Sequence, residues 1–129
     1  MYSATTHDIT VSVESVYLEN ESRPDENVFV WAYHVTIRNN GKNVVQLKSR
    51  HWRITDSNGR TQEVRGAGVV GEQPVLQPGQ SFKYTSGTPL GTPSGIMEGA
   101  YQMETSSGLL DIRIPAFSLD SPHQKVQLN

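Results

Sequence analysis

Val28-Phe29-Val30-Trp31-Ala32-Tyr33-His34-Val35-Thr36-Ile37-Arg38 decides the fold. Phe29, Trp31, Tyr33, Val35 and Ile37 fall on one parity, with mostly smaller or polar residues between them. A period of two puts all five on one face of an extended strand, the arrangement of a strand half buried against a core. No helical period fits these positions.

Working outward, the same alternation returns on both sides. Ile9, Val11 and Val13 alternate over residues 8–19 and then change phase to Val16 and Leu18, which predicts a bulge near Ser15. Pro24 and a run of charges make residues 20–27 a loop. After residue 38, Asn39-Asn40-Gly41-Lys42 reads as a turn, its Asn-Gly pair suited to positive φ. Residues 44–55 carry Val45 and Leu47 on one parity and Trp52 and Ile54 on the other, so a bulge is expected near Lys48–Arg50. Asp56-Ser57-Asn58-Gly59 turns the chain into a short strand at 61–65. Gln77-Pro78-Gly79-Gln80 is a further turn, followed by a strand at 81–86 with Phe82 and Tyr84 on one face.

Glycines and prolines make residues 87–95 irregular by this reading. Met97, Tyr101 and Met103 share a parity over 97–105. Ser106-Ser107-Gly108 then turns the chain into 109–117, where Leu110, Ile112 and Ile114 alternate with Asp111 and Arg113. About seven strands with short turns, and no helices to carry parallel crossovers, predict an all-β fold: an antiparallel β-sandwich. The 129 residues suit a single domain, with its core over about 8–117 and a polar tail from 118 to 129.

Composition narrows the function classes. There is no cysteine, which excludes disulfides, thiol chemistry and thiolate metal sites. No apolar run approaches the length of a membrane span, and residues 1–8 show no basic or apolar leader, so a cytoplasmic protein is expected. The net charge of −2 argues against a general nucleic-acid binder. Its distribution is uneven: residues 1–37 carry a local −5, while residues 38–65, with Arg38, Lys42, Lys48, Arg50, Arg53, Arg60 and Arg65, carry +5. Such bipolarity can steer an anion. The simpler account is that neighbouring strands exchange opposite charges.

Residues 66–71, Gly66-Ala67-Gly68-Val69-Val70-Gly71, spell a literal G-x-G-x-x-G. In dinucleotide folds that motif needs a helix N-terminus behind it to supply free amides and a dipole. Here Pro74 follows, so no such helix can run on. What remains is a glycine loop flanked by Arg60 and Arg65, able to offer backbone amides to an anion, or simply a loop whose glycines permit positive φ.

The four histidines, His7, His34, His51 and His123, show no metal-ligand spacing. With Asn40-Gly41 as the centre of a hairpin, His34 would face the region of Leu47 and stand apart from His51. Glu98, Glu104 and Asp111 lie on solvent-facing parities, and no serine sits in a nucleophile elbow. No catalytic constellation and no metal site are expected. Trp52, set among Lys48, Arg50, His51 and Arg53, is either a core anchor on the bulged strand or an interface residue.

Taken in order, several blocks carry a resemblance. They are Val30-Trp31-Ala32-Tyr33 with Val35-Thr36-Ile37-Arg38-Asn39, Leu47-Lys48-Ser49-Arg50-His51-Trp52, Thr55-Asp56 to Gly59, and Gly66 to Pro74. They continue with Leu76-Gln77-Pro78-Gly79, Phe82 to Gly87, Gly95-Ile96-Met97-Glu98-Gly99, Tyr101-Gln102-Met103 and Ile114-Pro115-Ala116-Phe117. Over about 110 residues the chain resembles the ApaG family, whose domain also occurs in some eukaryotic F-box and polymerase-interacting proteins. The resemblance implies a fibronectin type III-like, immunoglobulin-like β-sandwich. It implies an association with cobalt resistance and magnesium efflux, and a gene beside a diadenosine tetraphosphate hydrolase. It aligns Gly66, Gly68 and Gly71 with a glycine motif linked to pyrophosphate or nucleotide binding.

Two functions are therefore expected as alternatives. One is a non-enzymatic, cofactor-free protein-interaction module. The other is a nucleotide or pyrophosphate sensor using Gly66, Gly68, Gly71, Arg60 and Arg65. Free sandwich edges also leave a homodimer open.

Overall fold

The computed structural model describes residues 1–123. Nine strands follow one another: β1 (Tyr2–Thr6), β2 (Ile9–Tyr17), β3 (Phe29–Asn39), β4 (Val45–Asp56), β5 (Thr61–Ala67), β6 (Val75–Leu76), β7 (Ser81–Leu90), β8 (Gly95–Thr105) and β9 (Gly108–Leu119). The only helical pieces among the described residues are two 3-10 turns, Glu19–Glu21 and Pro24–Glu26, in the loop expected there.

The strands form two antiparallel sheets. The first has the order β1-β2-β3-β7; the second has the order β5-β4-β8-β9, with β6 also paired to β4. β5 lies beside β4 rather than on the first sheet, the strand placement that separates fibronectin type III-like sandwiches from constant-type immunoglobulin domains. The core lies between the inner faces. Phe29, Trp31, Tyr33, Val35 and Ile37 of β3 are all buried there, facing Trp52, Ile54, Met97, Tyr101, Met103, Ile112, Ile114 and Phe117 of the second sheet.

Seven strands coincide with those read from the sequence; β1 and the two-residue β6 are additions. Four local readings need correction. Asn39–Lys42 does not close a hairpin: β3 pairs with β2 and β7 while β4 pairs with β5, β6 and β8, so this segment carries the chain across the sandwich. Buried Asn39 organises the crossing, its amide donating to Asn43 O and Leu76 O and its Oδ1 accepting from Gly41 N.

The expected bulge near Ser15 is absent. β2 pairs with β3 in unbroken register from Ile9↔Asn39 to Tyr17↔Trp31, and Val16 is simply exposed on the outer face. Residues 87–90 are not irregular but complete β7, which is an edge strand. There Pro89 needs no ladder donor on its outer side. Finally, β9 runs to Leu119, which is buried, and Ser121 Oγ donates to Pro93 O, so the expected tail is ordered at its start. The rest of that tail, 124–129, lies outside the described residues.

The bulge expected at Lys48–Arg50 is present, as a register shift between Leu47 and Ser49 against β8. It changes the parity of β4, so that Arg50, Trp52 and Ile54 follow Leu47 on the inner face.

The two flanks of the sandwich differ. On one, β1 and β2 meet β9 through Tyr2 Oη–Ser118 Oγ (2.8 Å) and Ser15 Oγ donating to Ser118 O (3.0 Å). On the other, β5 and β7 are both edges, and a groove separates them.

Candidate functional site

The glycine segment is built differently from a phosphate cradle. Gly66 and Ala67 are the last two residues of β5, paired with Arg50 and Ser49. Gly68 and Gly71 have φ of +62° and +80°, and Val70, between them, has φ +43°. Val69 N donates to Glu72 O (2.8 Å), Glu72 N to Val69 O (2.9 Å) and Gly68 N to Lys48 O (2.9 Å). Three amides of the loop are thus taken by the protein's own carbonyls.

Of the five residues expected to act together, Arg65 and Gly66 line one cavity, and Arg60, Gly68 and Gly71 are not part of its wall. Arg60 sits six positions before Gly66, about 20 Å away along an extended strand. Arg65 points to the outer face, where Nη2 lies 3.8 Å from Glu63. That carboxylate also faces Arg53 (3.5 Å) and His51 Nε2 (3.7 Å). The exposed Arg53 and Arg65 pairs contribute at most about 1 kcal/mol each.

The glycines have local reasons. A Cβ on Gly66 would lie 2.9–3.1 Å from the Arg50 guanidinium, and one on Gly68 would lie 2.4 Å from Glu72 O. Gly66 therefore makes room for Arg50. Gly68 allows both the left-handed backbone and the close approach of Glu72.

Arg50 is the side chain that composition alone left among surface cations. The bulge turns it inward, where its stem crosses the inner side of Gly66. Its Nη1 donates to Ala67 O (3.1 Å) and Gly68 O (2.8 Å). Nε and Nη2 donate to no group among the described residues. The guanidinium is thus held from one side and free on the other.

It stands at one end of the β5–β7 groove, a cleft of about 280 Å³. Trp52, Ile54, Val64, Met97 and Pro89 supply apolar walls; Tyr33, Ser86 and Thr88 supply hydroxyls. Deeper, Tyr84 and Tyr101 join the sheets by a hydroxyl–hydroxyl hydrogen bond. Burial raises both phenols far above their ordinary value, with the Arg50 charge as a small opposing influence. Both stay protonated at neutral pH.

Trp52 is buried, packed edge-on against Tyr33 (5.4 Å), Tyr101 (6.3 Å) and Phe117 (6.1 Å). It serves as core anchor and groove wall at once. Other cavities are larger, and one of about 590 Å³ shares Arg50 and Gly66 with this site and adds His51, Arg65, Gln102 and Asp111. Another, of about 940 Å³, is among end loops around Asn27, Asn58, Thr92 and His123, and no arginine or lysine lines it.

The remaining candidates stay scattered. His34 bonds Thr85 Oγ1 (2.7 Å) on the outer face of the first sheet, and His123 lies 3.7 Å from Glu19. Among the described residues no group of three His, Asp or Glu side chains is placed to hold a metal. Glu104 faces Lys48 (4.0 Å), and Asp111 accepts from Gln102 (3.0 Å). No helix among the described residues is long and apolar enough to cross a membrane.

Sheet order, the switched β5 and the side groove define a small β-sandwich domain of fibronectin type III-like architecture. The model of the ApaG domain matches residues 19–105, and the chain belongs to the ApaG family. It is 60% identical to Protein ApaG of Parvibaculum lavamentivorans and 63% identical to Protein ApaG of Paramagnetospirillum magneticum, each over 130 aligned residues spanning all of both chains. The crystal structure of a Bordetella pertussis protein given the name ApaA superposes with a TM-score of 0.86 at 47% identity, covering 91% of this chain and 96% of that one.

Proposed function

We propose that this chain is a non-enzymatic recognition module that binds a partner protein through its open β5–β7 flank. By the same reading it acts in the cytoplasm, and this binding links it to cobalt resistance and magnesium efflux. The observation that carries the proposal is the groove itself. It combines apolar walls, convergent hydroxyls and a cation with free donors, the composition expected of a binding cleft. Two strand edges flank it, and such edges are natural places for another chain to pair.

The test is photo-crosslinking in the native cell. A crosslinking residue at Gln62 or Ser86, both lining the groove, should capture one recurring protein. The same residue at Glu14, exposed on the outer face of the first sheet, should not. Ser86→Phe should weaken capture from Gln62 by narrowing the groove. Equal capture at all three positions would overturn the assignment.

A second reading keeps pyrophosphate or a nucleotide at Gly66, Gly68 and Gly71, with Arg60 and Arg65 attracting it. One observation favours it: the amides of Val70 and Gly71, at the tip of the loop, donate to no acceptor among the described residues. Thermal unfolding against Mg²⁺, Co²⁺, pyrophosphate, ATP and diadenosine tetraphosphate separates the two readings. A phosphate at 100 times its Kd should add about 2.7 kcal/mol. No shift removes this reading and leaves the first.

A further inference from the structure

Resting on the reading of the open flank as an interaction surface, we infer that its occupant is an extended peptide segment of the pattern acid-x-apolar. The peptide lies antiparallel on the free edge of β5.

The edge comes first. Asp56 N donates to Arg60 O and Gly68 N to Lys48 O, both at 2.9 Å, which fixes the alternation of the β4–β5 ladder. Arg60, Gln62, Val64, Gly66 and Gly68 turn their backbone groups toward β4. Thr61, Glu63 and Arg65 therefore turn their amides and carbonyls outward, away from the sheet. The facing edge, β7, is a poorer template: Pro89 has no N–H, and Lys83 also stands on it. Every neighbouring pair in the second sheet is antiparallel, so an added strand continues that pattern.

Register then sets the peptide's chemistry. A residue opposite Gly66 points inward, as Gly66 and Arg50 do, with its Cβ about 5 Å from the Gly66 backbone. Gly66 has no side chain, and the Arg50 guanidinium lies over it. A carboxylate in this place meets the free Nε and Nη2, the two-donor geometry that arginine offers an acid. The ion is already held by Ala67 O and Gly68 O, so little side-chain freedom is lost on pairing.

In an antiparallel peptide the next inward residue comes two positions later and opposes Val64. Its side chain enters between Val64, Trp52 and Pro89. The cleft of about 280 Å³ suits one large apolar side chain.

The probe is a library of acetylated, amidated eight-residue peptides. It carries a fixed central Glu or, in parallel, Gln, with every other position randomised. Selection on the wild-type protein should enrich Leu, Ile, Met or Phe two positions after Glu. For an enriched peptide, Glu→Gln should weaken binding by about tenfold or more. Methylation of alternate peptide nitrogens should abolish binding in one phase and spare it in the other, as for an added strand.

Arg50→Gln should bind the Glu and Gln peptides equally. Because Arg50 also holds Ala67 and Gly68, Ser86→Phe serves as the second variant. It should lose the apolar preference, and the binding that remains should still favour Glu over Gln, because Ala67 O and Gly68 O, which hold Arg50, both lie outside β7. An unenriched library, or a Glu/Gln ratio in Arg50→Gln equal to the wild-type ratio, overturns the inference. If cellular crosslinking at Gln62 succeeds and the library shows no acid preference, the interaction reading stands and only the acid-x-apolar inference falls. If crosslinking also fails, both fall.

Discussion

The two flanks of the sandwich are each bordered by the edge strands of both sheets and are finished in opposite ways. On the β1–β2–β9 flank, side chains cross the seam: Tyr2 and Ser15 reach Ser118, and the Trp31 indole donates to Asp120 O (2.8 Å). On the β5–β7 flank the sheets meet inside, through the Tyr84–Tyr101 hydrogen bond and the packing of Tyr33 on Trp52, and the rim is left as a groove. The two tryptophans record the contrast. Trp31 is fully buried with its N–H satisfied, whereas the Trp52 N–H finds no acceptor among the described residues. The open flank is therefore not short of large side chains. It has them arranged as walls.

The largest effect should come from breaking the closed flank. Trp31→Ala removes a fully buried indole that also packs on Tyr17 (5.5 Å), and should cost about 3–5 kcal/mol. Trp52→Ala should cost less, because its site opens onto a groove that water can enter. Urea denaturation of both variants checks the order. Equal costs would mean that the flanks differ in shape and not in energy.

The tyrosine pair sharpens the comparison at the inner end of the groove. Tyr101→Phe strands the Tyr84 hydroxyl in the core and should cost about 1–3 kcal/mol, whereas Tyr84→Phe with Tyr101→Phe should cost less than the single change. The pair also predicts alkaline behaviour. Both phenols have folded pKa values above the ordinary value of about 10, so their contribution is complete below pH 10 and is lost as pH rises past it, where the unfolded chain ionises. The double Phe variant should therefore lose less stability than wild type between pH 9 and 11. Equilibrium unfolding across that range measures the difference.

A smaller loss is expected where β5 ends. Gly68→Ala combines φ +62° with a contact of 2.4 Å to Glu72 O, and should cost about 1–2 kcal/mol. The damage should stay local. Hydrogen exchange should quicken at Gly68 and Val69 and remain unchanged at Val11 and Val13, beside the closed flank. Uniform quickening would show that the two flanks open as one unit.

The closed flank was partly hidden in the sequence, and the open one was legible only in pieces. Strand β3 reads plainly because one face of an 11-residue strand is wholly apolar. Strand β1, Tyr-Ser-Ala-Thr-Thr, carries no such signal; it is held by pairing to β2 and by contacts with β9, which no local pattern displays. The Ser15 reading failed because a small residue stands at an inward position and Val16 faces water, so hydrophobicity pointed to the wrong phase. Pro89 read as a strand breaker because edge position is a property of topology. At the site, the bulge and the glycines were both visible, but Arg50 was one cation among seven in residues 38–65. A usable signal was present: an arginine on the inward parity after the bulge, with a glycine in the neighbouring strand. It acquires meaning only once Arg50 and Gly66 are known to be paired.

The smallest expected effect has the opposite sign and tests whether the open flank carries backbone strain. Val70 and Gly71 are the two central residues of a tight turn closed by Val69 and Glu72, with φ of +43° and +80°. Such turns favour Asn-Gly, because a β-branched residue at positive φ crowds its own backbone. Val70 is 54% exposed, so burial gives little in return. Val70→Asn should therefore stabilise the protein by about 0.5–1 kcal/mol, seen as a higher urea midpoint at unchanged slope. A loss would show that the Val70 side chain gains more from its neighbours than the turn loses. The turn follows directly on β5, so the expected gain should appear as slower exchange at Gly68 and Val69 and leave the closed flank as it was. Stiffening there without any change in peptide affinity would separate the turn from the groove. A parallel rise in affinity would mean that the turn helps hold Arg50, through Gly68 O, in the position that receives the acid.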